Sequence, residues 1–201
     1  MNKFALTLAP LMIATSAFAL DNPTGLFVEP MITYEVGEAR IAYPAPFGKS
    51  TGDTDGLGIG ARLGFHVWET LFVGVDARYA KLNIENSTPK YSSDTTSYNY
   101  GPVIGLQLPT LFALRVWAGY ILDGEIDFER DNDVDLKLKD GEGYRVGVGV
   151  KLALVSLNLE YQDIDYDKVN VADAGIFSGS RTGLAADNQS YVFSVSFPFS
   201  I

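Results

Sequence analysis

From residue 25 onward, apolar and polar residues alternate with a period of two in eight separate segments, and helical spacing is nowhere sustained. A β-strand points successive side chains to opposite faces, so each segment has one apolar and one polar or small face. The first sets Leu26, Val28, Pro30, Ile32, Tyr34 and Val36 against Glu29, Thr33 and Glu35. The second sets Leu57, Ile59, Ala61, Leu63, Phe65 and Val67 against Gly58, Gly60, Arg62, Gly64 and His66. The third opposes Leu71, Val73, Val75, Ala77 and Tyr79 to Gly74, Asp76 and Arg78. The others run from Tyr98 to Leu108, Phe112 to Leu122, Tyr144 to Leu152, Val155 to Tyr161 and Tyr191 to Ile201. Segments of about 10 residues match the length of a tilted strand that crosses a hydrocarbon layer. An even count of such strands is compatible with a closed barrel.

The connections fall into two classes. Trp68-Glu69-Thr70, Pro109-Thr110 and the region of Ala153 are tight turns, whereas residues 37–55, 81–97, 123–142 and 163–189 are long. In an up-and-down meander the classes alternate between the ends, which predicts short turns on the periplasmic side and four long loops on the extracellular side. Tyrosine supplies an independent check. Of 11 tyrosines, Tyr34, Tyr79, Tyr98, Tyr100, Tyr120, Tyr144, Tyr161 and Tyr191 fall on the apolar face near the long-loop end of their strand. A tyrosine rests its ring among acyl chains and its hydroxyl among headgroups, so a belt at one height reads as an aromatic girdle. Phe65, Phe112, Phe197 and Phe199 are the candidates for a weaker inner girdle.

The N-terminus has a different character. Lys3, the apolar run Phe4 to Ile13 and the small-x-small site Ala17-Phe18-Ala19 have the form of a secretory signal peptide cut before Leu20. This predicts a signal over 1–19 and one barrel domain over 20–201. No later stretch approaches the ~20 consecutive apolar residues of a membrane helix. The chain lacks cysteine, so disulfides and thiol chemistry are excluded. A formal net charge of -10 argues against nucleic-acid binding, which relies on cationic neutralisation of phosphate.

A soluble periplasmic barrel or sandwich is the competing architecture, with the apolar face turned inward. It would leave a glycine-rich face to solvent and a ring of tyrosines at one end of the core, and glycine weakens strands. The membrane reading uses the same glycines to make room inside a narrow barrel. The signal peptide, the hairpin from Gly56 to Tyr79 and the aromatic-alternating strand Tyr191 to Ile201 resemble the small eight-stranded outer-membrane barrels of Gram-negative bacteria, the OmpA-transmembrane-domain and OmpX-like group. The resemblance spans the mature chain as a pattern and implies an all-β, eight-stranded antiparallel barrel in the outer membrane. It also implies roles ranging from envelope anchor to adhesin, defence factor or small channel. Such barrels usually finish on Phe or Trp, and this one finishes Phe199-Ser200-Ile201.

Eight strands enclose an interior just wide enough for side chains to fill. The inward set holds Arg62, Arg78, Arg115, Arg145 and Lys151 against Glu29, Glu35, Asp76 and Glu160. Buried charges must be paired, so the near balance predicts a salt-bridge network filling the lumen. Turn geometry places Arg62 opposite Asp76 and Arg145 diagonal to Glu160. A narrow ion or small-solute path lined by these charges is the alternative. His66, the single histidine, has no serine on neighbouring positions of the third strand, so it reads as a satisfied lumen residue rather than a catalytic base.

The loop segment 123–142 carries nine acidic and three basic residues. Asp123, Glu125, Asp127 and Glu129 alternate with Gly124, Ile126 and Phe128, and Val134, Leu136 and Leu138 alternate on the return, as in a protruding hairpin turning at Asp131-Asn132-Asp133. A solvated acidic surface is the first reading and weak Ca²⁺ or Mg²⁺ binding by those four carboxylates the second. The fourth long segment extends its strand through Ile164, Tyr166, Val169 and Val171 before turning Gly, Ser and Ala rich. The expected protein is a monomeric, non-enzymatic barrel without cofactor, in contact with outer-membrane lipid and lipopolysaccharide. Its loops serve envelope integrity or an extracellular partner, and nucleic acid is not among its ligands.

Overall fold

The computed structural model describes residues 25–42, 48–68, 70–87, 90–108, 113–128, 135–152, 154–172 and 179–201. The expected signal peptide, Phe112, Glu129, Ala153 and the tip at Asp131-Asn132-Asp133 lie outside these residues. The strands are β1 Gly25–Ala42, β2 Lys49–Val67, β3 Leu71–Ser87, β4 Lys90–Gln107, β5 Ala113–Ile121, β6 Asp123–Phe128, β7 Asp135–Leu152, β8 Val155–Ala172, β9 Gly179–Ser196 and β10 Phe199–Ser200. β5 and β6 form one stave interrupted at Leu122, and β9 and β10 form another interrupted at Phe197 and Pro198, so the sheet is an antiparallel ring of eight staves. Closure comes from β9 pairing β1 between Met31↔Ser196 and Ala42↔Ala185, with β10 completing the seam at Phe27↔Ser200.

The register sets the barrel's width. Cross-strand neighbours lead from Phe27 through Gly64, Gly74, Val103, Gly119, Arg145, Gln162 and Ser190 back to β1 at Gly37, a stagger of 10 residues. Strands so inclined leave an interior that side chains can fill. The period-two pattern then decides the faces. Ile32 is 58 % exposed, Leu57 65 %, Ile59 63 % and Val75 54 %, while Glu29, Arg62, Asp76 and Arg115 are at most 2 % exposed. This inverts a soluble protein and discards the soluble-barrel reading: an apolar belt around the outside requires lipid.

The four long connections are built largely as paired strand. Residues 37–42, 49–55, 81–87 and 90–97 continue the ladders of β1 to β4, and β6 to β9 do the same on the other side. Pairing satisfies the backbone groups that an irregular loop would leave to water. Above the membrane the inward phase changes on three of the eight staves. Pro102 has no N–H to donate, and between Val103↔Gly119 and Tyr100↔Asp123 the register moves by one residue, with Leu122 N donating to Tyr100 O at 3.0 Å. Asp140 adopts φ 53°, and the β8–β9 register shifts between Tyr166 and Lys168. Inward positions thereby pass from Trp117 and Ile121 to Ile126 and from Arg145 to Leu138. The result is an internal apolar cap of Ile121, Ile126, Leu138, Ile164, Tyr166, Val169 and Ala186.

Small inward residues sit opposite large ones. A Cβ on Gly147 would run into the Trp117 ring and lie 2.7 Å from Glu160 Cγ. Gly147→Ala is therefore expected to overpack the lumen and destabilise the barrel by about 1–3 kcal/mol. A lower midpoint of urea unfolding in lipid vesicles checks this, and an unchanged midpoint contradicts it.

Candidate functional site in the barrel lumen

All eight staves contribute polar side chains to one connected interior. At its centre Asp76 accepts from Arg62 Nη2 at 2.8 Å, Arg78 Nε at 2.9 Å and Arg145 Nη1 at 2.7 Å. Glu160 accepts from Arg78 Nη2 at 2.7 Å and from the Trp117 indole at 3.0 Å. Glu29 receives both terminal nitrogens of Arg115 at 2.7 Å and the Ser196 hydroxyl at 2.6 Å. Glu35 accepts from Gln162 at 2.9 Å and Ser190 at 2.7 Å, and Asn99 accepts from Arg145. Arg62 and Arg115 also lie against aromatic rings, 4.9 Å from Trp117 and 5.1 Å from Phe72 respectively. Bidentate pairing and cation–π contact both compensate guanidinium groups withdrawn from water.

The structure therefore places Glu29, Glu35, Arg62, Asp76, Arg78, Arg115, Arg145 and Glu160 inside, with Lys151 half-buried near the periplasmic end. Arg62 and Asp76 are direct cross-strand partners. Arg145 stands diagonal to Glu160, since Gly147 is the residue paired with Glu160, yet its guanidinium turns to Asp76 and Asn99. Arg78 occupies Glu160 instead, through a contact across the lumen that strand pairing does not encode. Trp117, Asn99, Gln162, Ser190 and Ser196 complete the network. Their inward phase was the one signal the sequence held, but their partners lie on non-adjacent strands. His66 packs 4.6 Å from the Phe27 ring, and its Nε2 has no protein partner, so it is a packed rather than a satisfied histidine.

The outer face carries the tyrosines. Tyr79↔Tyr98, Tyr120↔Tyr144 and Tyr161↔Tyr191 are direct cross-strand pairs, and Tyr34 faces Phe193. Ring contacts of 6.3 and 5.5 Å join Tyr144, Tyr161 and Tyr191. Tyr100 projects outward beside Tyr98, two positions along β4. Phenol groups donate to carboxylates on the extracellular side, Tyr120 to Glu142 at 2.9 Å and Tyr34 to Asp55 at 3.4 Å. At the other end Trp68, 73 % exposed on a tight turn with φ 60°, stands beside Phe65, while Phe197 and Phe199 are half-buried.

Among the described residues no three acidic or histidine side chains converge to hold a metal ion. Glu125 lies 3.4 Å from Lys139 and Asp127 2.6 Å from Lys137, and with Asp123 they are spaced along one strand face. Glu129, the fourth carboxylate of the divalent-cation reading, lies outside the described residues. Above the membrane Asp187 lies 3.6 Å from Arg40 across the closing seam. Burial holds its carboxyl above the usual range, partly offset by Arg40. A carboxyl raised in the folded state favours folding when protonated, so its contribution falls as pH rises from about 4. Asp187→Asn should flatten that part of the thermal-stability profile between about pH 3 and 7. An unaltered difference between variant and parent across the range contradicts it.

Asp76 holds three arginines, so its removal leaves buried charge uncompensated. Asp76→Ala is expected to destabilise the folded barrel by about 3–5 kcal/mol. Urea titration in vesicles reads this directly, and a cost below about 1 kcal/mol would show that the arginines repartner freely.

The chain matches the outer membrane protein beta-barrel domain model over residues 5–199. No curated protein matches it. Among solved structures it is similar to OprG of Pseudomonas aeruginosa, at 10% identity over 89% of this chain and 98% of that one, with a TM-score of 0.53. It is also similar to Neisserial surface protein A, at 18% identity over 85% and 96% with a TM-score of 0.45. Ail of Yersinia pestis, solved with the heparin analogue sucrose octasulfate, aligns at 12% identity over 87% and 99% with a TM-score of 0.48. With its lipid-facing apolar belt and antiparallel ring of eight staves, the chain belongs to the outer-membrane β-barrel family and resides in the outer membrane of a Gram-negative bacterium.

Proposed function

We propose that this protein is a closed, non-catalytic outer-membrane scaffold whose lumen is plugged by its charge network and whose hairpins act in envelope integrity or surface interaction. The observation that carries this is the set of links spanning the interior. Arg115 on β5 reaches Glu29 on β1, Arg78 on β3 reaches Glu160 on β8, and Arg145 on β7 reaches Asp76 on β3. None of these strand pairs is adjacent in the sheet, so each link crosses the bore. The apolar cap above them adds a second obstruction. In this reading residues 1–19 direct export and are removed, and the barrel works as a monomer over residues 20–201. Lipopolysaccharide surrounds its outer half.

A narrow conduit is the competing reading. It draws support from Thr54, Thr95, Asn188 and Tyr166, buried residues that each leave a side-chain oxygen without a protein partner. Planar-bilayer recording of the refolded protein separates the two. The plugged scaffold predicts no reproducible conductance steps. Stable steps whose ion selectivity changes in Arg62→Ala or Glu160→Ala would instead make the barrel a channel and those charges its selectivity elements.

A further inference from the structure

The outer wall is not uniformly convex. Just outside the tyrosine girdle lies an open hollow of about 1040 Å³, with Lys81, Asn83, Asp94 and Thr96 of β3 and β4 at its middle. Tyr34, Asp55 and Leu57 of β1 and β2 border one side, and Asp127 and Lys137 of β6 and β7 the other. These side chains alternate with the inward ones on their strands, so the hollow opens to the surroundings rather than to the lumen. Its height is fixed by Tyr79, two residues along β3 from Lys81 on the same face, and by Tyr34 on its border. It therefore sits at the level of lipid headgroups on the side of the long hairpins.

Charge separates Lys81 from the lysines of β7 and β8, a distinction it shares with Lys49 at the outer end of β2. Lys137 pairs with Asp127, Lys139 with Glu125, and Lys168 with Asp140. Among the described residues Lys81 is exposed and has no carboxylate within ion-pair distance. Its cross-strand neighbours are Leu57 and Thr96, which leave the ammonium group open to an external anion. One step further along, Asp55, Asn83 and Asp94 form a single cross-strand row. Below, Leu57 and Ile59 are 65 % and 63 % exposed with glycines between them and beside them, a smooth apolar strip continuous with the hollow.

We propose that this hollow seats the phosphorylated disaccharide headgroup of one outer-leaflet lipopolysaccharide. Lys81 holds a phosphate, an acyl chain lies along Leu57 and Ile59, and Asp55 and Asp94 share the divalent counter-ions that accompany the sugar phosphates. The combination favours this lipid over a simple phospholipid: the hollow is wide, and a sugar hydroxyl finds Asn83 and Thr96 as partners between the charges. Headgroup binding here rests on the outward placement of the hairpins and not on whether the lumen conducts, so a conductance result leaves it unaffected.

Native mass spectrometry of the folded protein released from micelles doped with diphosphorylated lipid A and millimolar Mg²⁺ tests it. The parent protein is expected to retain one lipid A. Lys81→Glu should lower the retained fraction about tenfold, the scale set by removing one charge-assisted hydrogen bond. Dephosphorylated lipid A and phosphatidylglycerol should be retained equally poorly by the parent protein. Lys168→Ala should match the parent, and heat-modifiable gel mobility verifies that each variant is folded. Undiminished retention by folded Lys81→Glu, or equal retention of dephosphorylated lipid A or phosphatidylglycerol, overturns the proposal.

Discussion

Charge neutralisation inside the bore is the constraint on which the rest of this structure depends. A barrel of eight staves surrounded by hydrocarbon cannot hold an uncompensated guanidinium or carboxylate, since neither bulk water nor lipid is at hand to solvate it. Four arginines and four acids are fully withdrawn here, and three of the arginines converge on Asp76. Every stave supplies a member or a supporting hydrogen bond. The network therefore ties together strands that backbone pairing leaves on opposite sides of the ring.

The glycines and aromatics follow from the same constraint. The stagger of the strands allows only a narrow interior, so Trp117 fits because Gly147 offers it no Cβ, and Phe72 fits against Gly105 for the same reason. Those rings then lie beside the guanidinium groups of Arg62 and Arg115 and shield them on their apolar sides. Above the bilayer the demand changes. Displaced from the charge network and enclosed by hairpins, the interior becomes apolar, and the change in inward phase around Leu122, Asp140 and Asp167 delivers Ile126, Leu138 and Val169 to it.

The outside obeys lipid rather than protein. Its apolar belt ends in tyrosines whose phenols donate to carboxylates on the next turn of the ladder, so the boundary between acyl chain and headgroup is marked by hydrogen bonds. Just past that boundary the lysines of β7 and β8 pair with Asp127, Glu125 and Asp140, and Lys81 stands apart from them on β3. Two carboxylates of the acidic hairpin, Glu125 and Asp127, are thereby compensated by lysines on its own return strand.

Strand positions, their faces, the tyrosine belt and the pairing of Arg62 with Asp76 were legible in the chain itself, because each depends on period two and on turns only a few residues long. Local periodicity is a one-dimensional signal, and short turns carry it intact from one strand to its neighbour. The partner of Glu160 was not legible. Which arginine reaches it depends on side chains crossing a bore whose diameter and stagger emerge only when β9 closes on β1. The apolar cap was hidden for a related reason, since a bulge shifts the inward phase by one residue and reverses what alternation implies beyond it. The sequence by itself determined that this chain forms a membrane barrel with charges inside. Only the closed tertiary structure decided which charges meet, because contacts across the lumen are set by barrel geometry rather than by neighbours along the chain.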